Sequence, residues 1–317
     1  MPIREQAKPN NAPLGLCLLA AQLKNYGAKV NILDLNSFRI KDKIATERKL
    51  ENGRVLLAEE AERYPEWEPT LESTRESEEK LFRKEEELRR ADRITCPSQF
   101  VLDSIPLEIR QKTPCQISPF GSPPSEPVNV ESFPKSDTHK LLFVGSMSQR
   151  KGLADLFEAM KLLKREPISL SILGQPSMPM EFYRKQFAEF EYFPPCSNQK
   201  VRKIMKVHDA LVLPSIVEGR ALVQQEALSC GLPIIVTPNA GGVDLEEEGK
   251  TGHIVPIRSP EKIAQAIRAM IENKNRKEEI QKLCQKKAEQ YSWASYAENI
   301  IDFNLSNSAQ GFVLPDP

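Results

Sequence analysis

Two glutamates eight residues apart are the first side chains of this sequence that could do chemistry together. Glu218 lies just before a stretch of helical composition and Glu226 lies inside it. Eight steps of about 100° put both carboxylates on roughly one side of a helix, about 12 Å apart along its axis. Two acceptor groups at that separation suit an extended ligand rich in hydroxyls, such as a nucleoside joined through phosphates to a sugar. From spacing alone, two solvated glutamates remain the simpler explanation.

A strand–helix–strand unit over residues 209–242 must position these carboxylates. Apolar runs cover 210–213 and 232–236, and helical composition covers 221–229. Gly231 is suited to end the helix, because glycine adopts the left-handed conformation without a Cβ clash. Apolar runs on either side of a helix predict parallel strands that are buried on both faces.

The loop over residues 145–152 could bring positive charge to the same ligand. It follows an apolar strand pattern and precedes an amphipathic helix at 153–163, which is the layout of a phosphate-binding turn. The Gly-x4-Gly-Lys spacing of a P-loop is absent. Arg150 and Lys151 could contact a diphosphate, or they could be two solvated loop cations. Free backbone N–H groups around 219–222, at the start of the other helix, would also point at phosphates.

The string from Asp209 to Gly242 resembles the donor-binding signature of retaining glycosyltransferases of the family-4 type. In that signature a strand leads to Pro-Ser and Glu-Gly, and Glu-Ala and Gly-Leu-Pro follow, as they do here. The resemblance implies an α/β fold with two Rossmann-like domains, the GT-B fold. It also implies transfer of a sugar, with retention of configuration, from a nucleotide-diphospho-sugar to a hydroxyl acceptor.

The resemblance assigns roles to individual residues. Glu218 would hold the hydroxyls of the donor sugar and Glu226 those of the ribose. Lys151, with Arg150 as a second candidate, would contact the diphosphate. Glu218, Lys151 and Arg150 are the candidate catalytic residues, because departure of a nucleoside diphosphate requires compensation of developing negative charge. The candidate donor-binding residues are Gly145, Ser146, Gly219, Arg220, Ala221, Leu222 and Glu226.

Three positions depart from the family pattern. Ser146 stands where many members have an arginine, and Arg150 would compensate for that lost cation. Arg220 and Ala221 stand where the family often has Phe and Gly. Arg220 would either meet a phosphate or a charged sugar, or be an exposed arginine.

Composition and resemblance together divide the chain into four parts. We expect an acceptor-side domain at 1–120, a linker at 121–138, a donor-binding domain at 139–290, and a returning helix and tail at 291–317. Proline and serine mark the linker. Residues 91–100 are similar to the last strand and helix of the family's first domain, with a helix start at Ser98. That domain is shorter here than in the family and contains no histidine, so we expect it to be truncated or rearranged.

The composition argues against several other classes of protein. Lys+Arg and Asp+Glu both total 44, so nothing indicates a nucleic-acid partner. The six cysteines are scattered without a CxxC pair, and no Asp-x-Asp motif is present. We therefore expect no metal, no cofactor and reduced thiols in a cytoplasmic protein. No apolar run approaches the ~20 residues that span a bilayer, which leaves peripheral membrane contact open. The acceptor would be a glycan, a lipid or a small molecule.

Two other functions stay open. A non-catalytic nucleotide-sugar-binding or scaffold protein would keep the donor half and lack the acceptor half. Residues 13–35 indicate a helix–turn–strand unit that is similar to the start of a cobalamin-binding domain in some radical enzymes. That family's Asp-x-His-x-x-Gly motif and a three-cysteine cluster are absent. We therefore interpret 13–35 as scaffold and the dense mixed charges of 41–93 as a solvated face.

Overall fold

The fold is taken from a computed structural model of the 317-residue chain. The structure describes residues 48–49, 55–56, 86–125, 138–247, 249–272 and 276–305. The unit expected at 13–35 lies outside the described residues, as do most of the charged stretch at 41–93, linker residues 126–137 and tail residues 306–317.

The strands are β1 (Arg48–Lys49), β2 (Val55–Leu56), β3 (Ile94–Cys96), β4 (Cys115–Ile117), β5 (His139–Val144), β6 (Ile168–Leu173), β7 (Phe190–Phe193), β8 (Ala210–Leu213), β9 (Ile234–Val236) and β10 (Gly252–Ile254). The α-helices are α1 (Gln99–Ser104), α2 (Leu107–Arg110), α3 (Leu153–Leu162), α4 (Met180–Gln186), α5 (Asn198–Met205), α6 (Leu222–Ser229), α7 (Pro260–Glu272), α8 (Lys277–Glu289) and α9 (Trp293–Leu305).

Six parallel strands form the main sheet, in the order β10-β9-β8-β5-β6-β7. Strands β5 to β7 follow one another outward on one side, and β8 to β10 do so on the other. The order therefore reverses between β5 and β8, which are hydrogen-bonded neighbours. In open sheets of this kind, ligands bind beyond the carboxyl ends of the strands at such a reversal.

The core of this half explains why the apolar runs of the sequence form strands. Every residue of β8 and β9 is buried, as expected for parallel strands covered on both faces. Helix α3 packs against α7, and α6 packs against α8. Helix α6 begins after the loop that follows β8, so its start lies at the carboxyl edge of the sheet.

Residues 86–125 form a smaller unit with its own core. Strands β3 and β4 pair in parallel, and α1 and α2 connect them. The buried core residues are Leu88, Ile94, Cys96, Val101, Ile105 and Ile109. The sequence predicted β3 and α1, but the expectation that they are the last elements of this unit is wrong, because α2 and β4 follow. Strand β4 has the sequence Cys-Gln-Ile and three half-buried residues. It therefore contains no apolar run that would have predicted a strand.

Helix α9 contacts this smaller unit. The Gln116 side-chain amide donates to the Asn299 carbonyl at 3.0 Å, and the Arg93 guanidinium donates to the Phe303 carbonyl. Phe120 stacks on Trp293 with ring centroids 6.2 Å apart. The aromatic residues at the start of α9 therefore pack between the smaller unit and the unit that contains the six-stranded sheet.

Candidate functional site

The loop after β5 and the loop after β8 meet where the strand order reverses. The Arg150 carbonyl accepts the N–H of Ile216 at 2.9 Å and that of Val217 at 3.4 Å. Gly152 has a φ of +70°, and a Cβ there would lie 1.9 Å from the Pro214 carbonyl oxygen. Because glycine alone tolerates both features, it lets the two loops approach this closely. Their backbones are fixed against each other without a ligand.

This approach brings Lys151 and Glu218 into direct contact. The Lys151 ammonium donates to the Glu218 carboxylate, and Arg150 Nη1 lies 3.7 Å from the same oxygen, Oε2. The side chains of Lys151 and Glu218 are 11% and 17% exposed. Burial lowers the pKa of Lys151, although the Glu218 carboxylate opposes the shift. The Glu218 N–H donates to the Asn239 carbonyl at 3.0 Å, which fixes the backbone of the carboxylate.

The end of β5 shapes the space around the lysine. A Cβ at Gly145 would lie 3.5 Å from Lys151 Cε, so the glycine lies against the lysine stem. The Gly145 N–H donates to the Leu173 carbonyl at 2.9 Å and is not free for a ligand. Ser146 Oγ lies 3.2 Å from Ser148 Oγ. Ser146 thus brings no charge to the loop.

The start of α6 carries fewer free N–H groups than the sequence predicted. The Ala221 N–H donates to the Ala240 carbonyl at 3.2 Å, so its predicted availability is wrong. The N–H groups of Gly219, Arg220 and Leu222 have no partner within the described part of the chain. The Leu222 side chain packs with the Phe120 cluster. Helix α6 therefore presents backbone donors from both sides of Ala221.

Glu226 lies in the second turn of α6 and is half-buried. Burial raises the pKa of its carboxyl, and the charge of Arg202 on α5 opposes that shift. Arg202 also donates from Nη2 to the Pro124 carbonyl at 2.8 Å. The second predicted carboxylate is thus within range of a positive charge on α5.

Arg220 differs from both sequence interpretations. Its side chain is 0% exposed, so the expectation of an exposed arginine is wrong. Its guanidinium donates to both carboxylate oxygens of Asp244, at 2.7 and 3.0 Å. It also donates to the Gly241 carbonyl at 3.0 Å and to Gln225 Oε1 at 3.2 Å. Since protein acceptors engage Nε, Nη1 and Nη2, the geometry gives no support to the predicted contact of this side chain with the donor.

The sequence matches the family described as Glycosyl transferases group 1 over residues 126–290, just over half of the 317 residues. The chain belongs to this family. Among curated relatives, D-inositol 3-phosphate glycosyltransferase of Paenarthrobacter aurescens is 26% identical over 193 residues, covering 57% of this chain and 47% of the relative. Spore coat protein SA of Bacillus subtilis is 33% identical over 92 residues, covering 28% of this chain and 24% of the relative. The chain spans about half the length, or less, of the curated relatives it matches.

Solved structures of glycosyltransferases share the fold of this family member. Sucrose-phosphate synthase from Thermosynechococcus elongatus has a TM-score of 0.63 at 19% identity, covering 74% of this chain and 63% of that one. Anabaena HepE in complex with UDP-glucose has a TM-score of 0.56 at 16% identity, covering 69% and 65%. The likeness confirms the predicted α/β fold of the GT-B type.

In this group 1 family member, two polar side chains near the site make contacts that the sequence did not predict, because their partners lie far away along the chain. The Ser98 hydroxyl donates to the Gly219 carbonyl at 2.6 Å. The Gln225 amide donates to the Phe120 carbonyl and, at 3.4 Å, to Ser122 Oγ. The Pro-Ser string indicated a helix start at Ser98, but nothing local identifies a partner 121 residues away.

Among the described ranges, no group of three or more His, Cys, Asp or Glu side chains is placed to hold a metal ion. No helix within the described part of the chain has the length and apolar character needed to cross a bilayer.

Proposed function

We propose that the protein is a retaining glycosyltransferase that moves a sugar from a nucleotide-diphospho-sugar to a hydroxyl acceptor. The observation that carries this proposal is the contact between Lys151 and Glu218 at the reversal of strand order. A cation suited to a diphosphate and a carboxylate suited to sugar hydroxyls lie side by side there. UDP-glucose, the ligand of the HepE complex, contains a diphosphate and sugar hydroxyls.

In the proposed reaction the bond between the anomeric carbon and the diphosphate breaks, and a bond from the acceptor oxygen to that carbon forms. The acceptor proton passes to the departing diphosphate. Lys151, Arg150 and the free N–H groups of Gly219 and Leu222 compensate the charge that develops on the phosphates. Glu218 accepts hydrogen bonds from the sugar hydroxyls. The proposal of retention rests on the resemblance of the 209–242 string.

We also propose that the expected division of the chain holds, with a donor-binding domain at 139–290. The six-stranded sheet and the helices that cover it support this proposal. The separate core of residues 86–125 supports a distinct unit before the crossing. The acceptor, proposed to be a glycan, a lipid or a small molecule, would then approach Glu218 from the side of the smaller unit.

The proposed donor site can be tested by a thermal-shift screen against UDP-, GDP-, ADP- and dTDP-sugars. A donor that binds the folded chain raises its melting temperature by mass action. Calorimetry with the selected donor would then compare wild type with Glu226→Gln, for which we expect a roughly tenfold loss of affinity. Glu278→Gln is the matched control, because that carboxylate pairs with Lys282 on the exposed face of α8. Equal affinities in all three proteins would remove the ribose role of Glu226.

Turnover separates an enzyme from a binding protein. Release of nucleoside diphosphate in the presence of a cell-extract acceptor, with the product anomer assigned by NMR, would support the transferase and its retention. Donor binding without hydrolysis or transfer would favour a nucleotide-sugar-binding or scaffold protein instead.

A further inference from the structure

A network of polar groups lies directly behind the loop that carries Glu218. At its centre the buried Arg220 forms a two-point pair with Asp244. The Arg220 guanidinium lies 5.4 Å from the centroid of the Tyr291 ring, and the Tyr291 hydroxyl donates to the Asp244 carbonyl at 3.2 Å. Arg220 thus contacts the Asp244 carboxylate and the Tyr291 ring, and Tyr291 in turn contacts the Asp244 backbone.

The same network reaches the segment that connects the two halves of the molecule. Gln225, which accepts from Arg220, donates to the Phe120 carbonyl and the Ser122 hydroxyl. The Ser122 N–H in turn donates to the Tyr291 carbonyl at 2.7 Å. Four stretches of chain that are distant in sequence therefore meet around one guanidinium.

The turn at Gly219 is held against this network by its backbone. Gly241 has a φ of +73°, and a Cβ there would lie 1.9 Å from the Gly219 carbonyl oxygen. The Gly241 carbonyl itself accepts from Arg220. The Gly219 turn and the loop after β9 are thus joined twice, once by close backbone approach and once by the guanidinium.

We propose that Arg220 is a positioning residue, which aims the Glu218 carboxylate by anchoring the Gly219 turn to Asp244 and Gln225. The identity of the ligand in this inference rests on the proposed function. Arg220 does not touch the donor; it acts through the two residues that precede it. A lysine could not replace it, because an ammonium is a compact point donor and lacks the planar fork that spans Asp244 and Gln225.

The test compares Arg220→Lys with wild type and with Arg268→Lys. The control also alters an arginine–carboxylate pair, since Arg268 Nε lies 2.8 Å from Glu166 Oε1. That pair is near the surface, and neither of its residues belongs to the network around Arg220. Hydrogen exchange in the ligand-free proteins would follow residues 216–222, where the Glu218 and Ala221 N–H groups are hydrogen-bonded. We expect roughly tenfold faster exchange there in Arg220→Lys and no change in the control.

Binding of a nucleotide sugar and of its nucleoside diphosphate supplies the second readout. The probes are UDP-glucose with UDP, or GDP-mannose with GDP, as the screen selects. Arg220→Lys should weaken the sugar nucleotide about tenfold and the diphosphate less than threefold, because Glu218 faces the sugar, whereas the Gly219 N–H is only one of several proposed donors to the phosphates. A general loosening of the fold would weaken both equally and would overturn the inference, as would wild-type exchange at 216–222. If wild type binds no probe, the proposed function fails, and the exchange comparison alone still decides the positioning role.

Discussion

Two ion pairs lie two residues apart on one loop, and they are built differently. Glu218 pairs with Lys151, and a second cation, Arg150, lies 3.7 Å away with 41% of its side chain exposed. Arg220 pairs with Asp244, and three of its nitrogens have protein acceptors. We propose that a ligand can take the place of one partner in the first pair. In the second pair every guanidinium nitrogen already has a protein acceptor, so that pair serves the fold.

The electrostatics of the two pairs follow the same division. Burial lowers the pKa of Lys151 and Glu218 opposes this, so the lysine lies in an environment that a phosphate would improve. Burial raises the pKa of Asp244, but the hydrogen bonds and charge of Arg220 outweigh it, so the net shift is downward. The charged form of Lys151 is thus disfavoured in this structure, whereas the charged form of Asp244 is favoured by its partner.

The largest effect should come from the pair that we propose contacts the ligand. We expect Lys151→Ala to reduce turnover by about 10²- to 10³-fold, since a preorganised donor to the developing charge is lost. Stability should change by less than about 1 kcal/mol, because a desolvated cation is removed and Arg150 stays near Glu218. Nucleoside diphosphate release and urea unfolding would measure the two effects. Lys250→Ala, in an exposed turn, is the control; equal losses of turnover in both variants would contradict this role.

The second pair should respond in stability, and unequally from its two ends. Asp244→Ala leaves a guanidinium that is 0% exposed without its counter-ion, which should cost about 3 kcal/mol. Arg220→Met leaves a carboxylate that is 40% exposed and reached by water, so we expect about 2 kcal/mol or less. Urea unfolding of both variants measures the difference. A larger loss for Arg220→Met would mean that the guanidinium is not the more deeply buried charge in solution.

The sequence predicted that Lys151 and Glu218 lie at one ligand, without predicting their direct contact, and it did not predict the Arg220–Asp244 pair, for a physical reason. Glu218 and Lys151 each follow a strand with a readable apolar run, and parallel strands bring their carboxyl ends to one edge. The burial of Arg220 depends instead on Asp244, which comes 24 residues later in a short 3-10 helix with no periodic signal. Strand β4 and the Ser98 contact escaped detection for the same reason, since tertiary partners rather than local pattern define them.

Gly152 tests whether backbone approach is what builds the first pair. Gly152 and Gly249 both have a φ of +70°, but a Cβ at Gly249 meets nothing within 4 Å, whereas one at Gly152 meets the Pro214 carbonyl. We expect Gly249→Ala to cost about 1 kcal/mol from the left-handed backbone alone. Gly152→Ala should cost about 2 kcal/mol and also lower turnover, because the Lys151 loop must move. Equal stability and unchanged turnover in the two variants would show that the loops need not touch.

The smallest effect distinguishes the pairs by pH. Because burial lowers the pKa of Lys151, donor affinity should fall as the pH rises through that lowered value, before the ordinary lysine pKa of 10.5 is reached. A phosphate ligand favours the charged lysine, so the fall begins at the pKa of the ligand-free protein and continues up to the higher pKa of the complex, and we expect lower affinity at pH 9 than at neutral pH. Calorimetry across this range should show that Lys151→Arg removes the fall, since a guanidinium keeps its proton.

The Arg220–Asp244 pair should not change over the same interval. The folded pKa of Asp244 lies below its ordinary value, so the stability it contributes is complete above the ordinary carboxyl range and is lost only as the pH falls through the folded value. Urea unfolding of wild type and Asp244→Ala should therefore differ by the same amount at pH 7 and pH 9. If that difference changes while donor affinity stays constant, the two pairs have the opposite of the roles assigned to them.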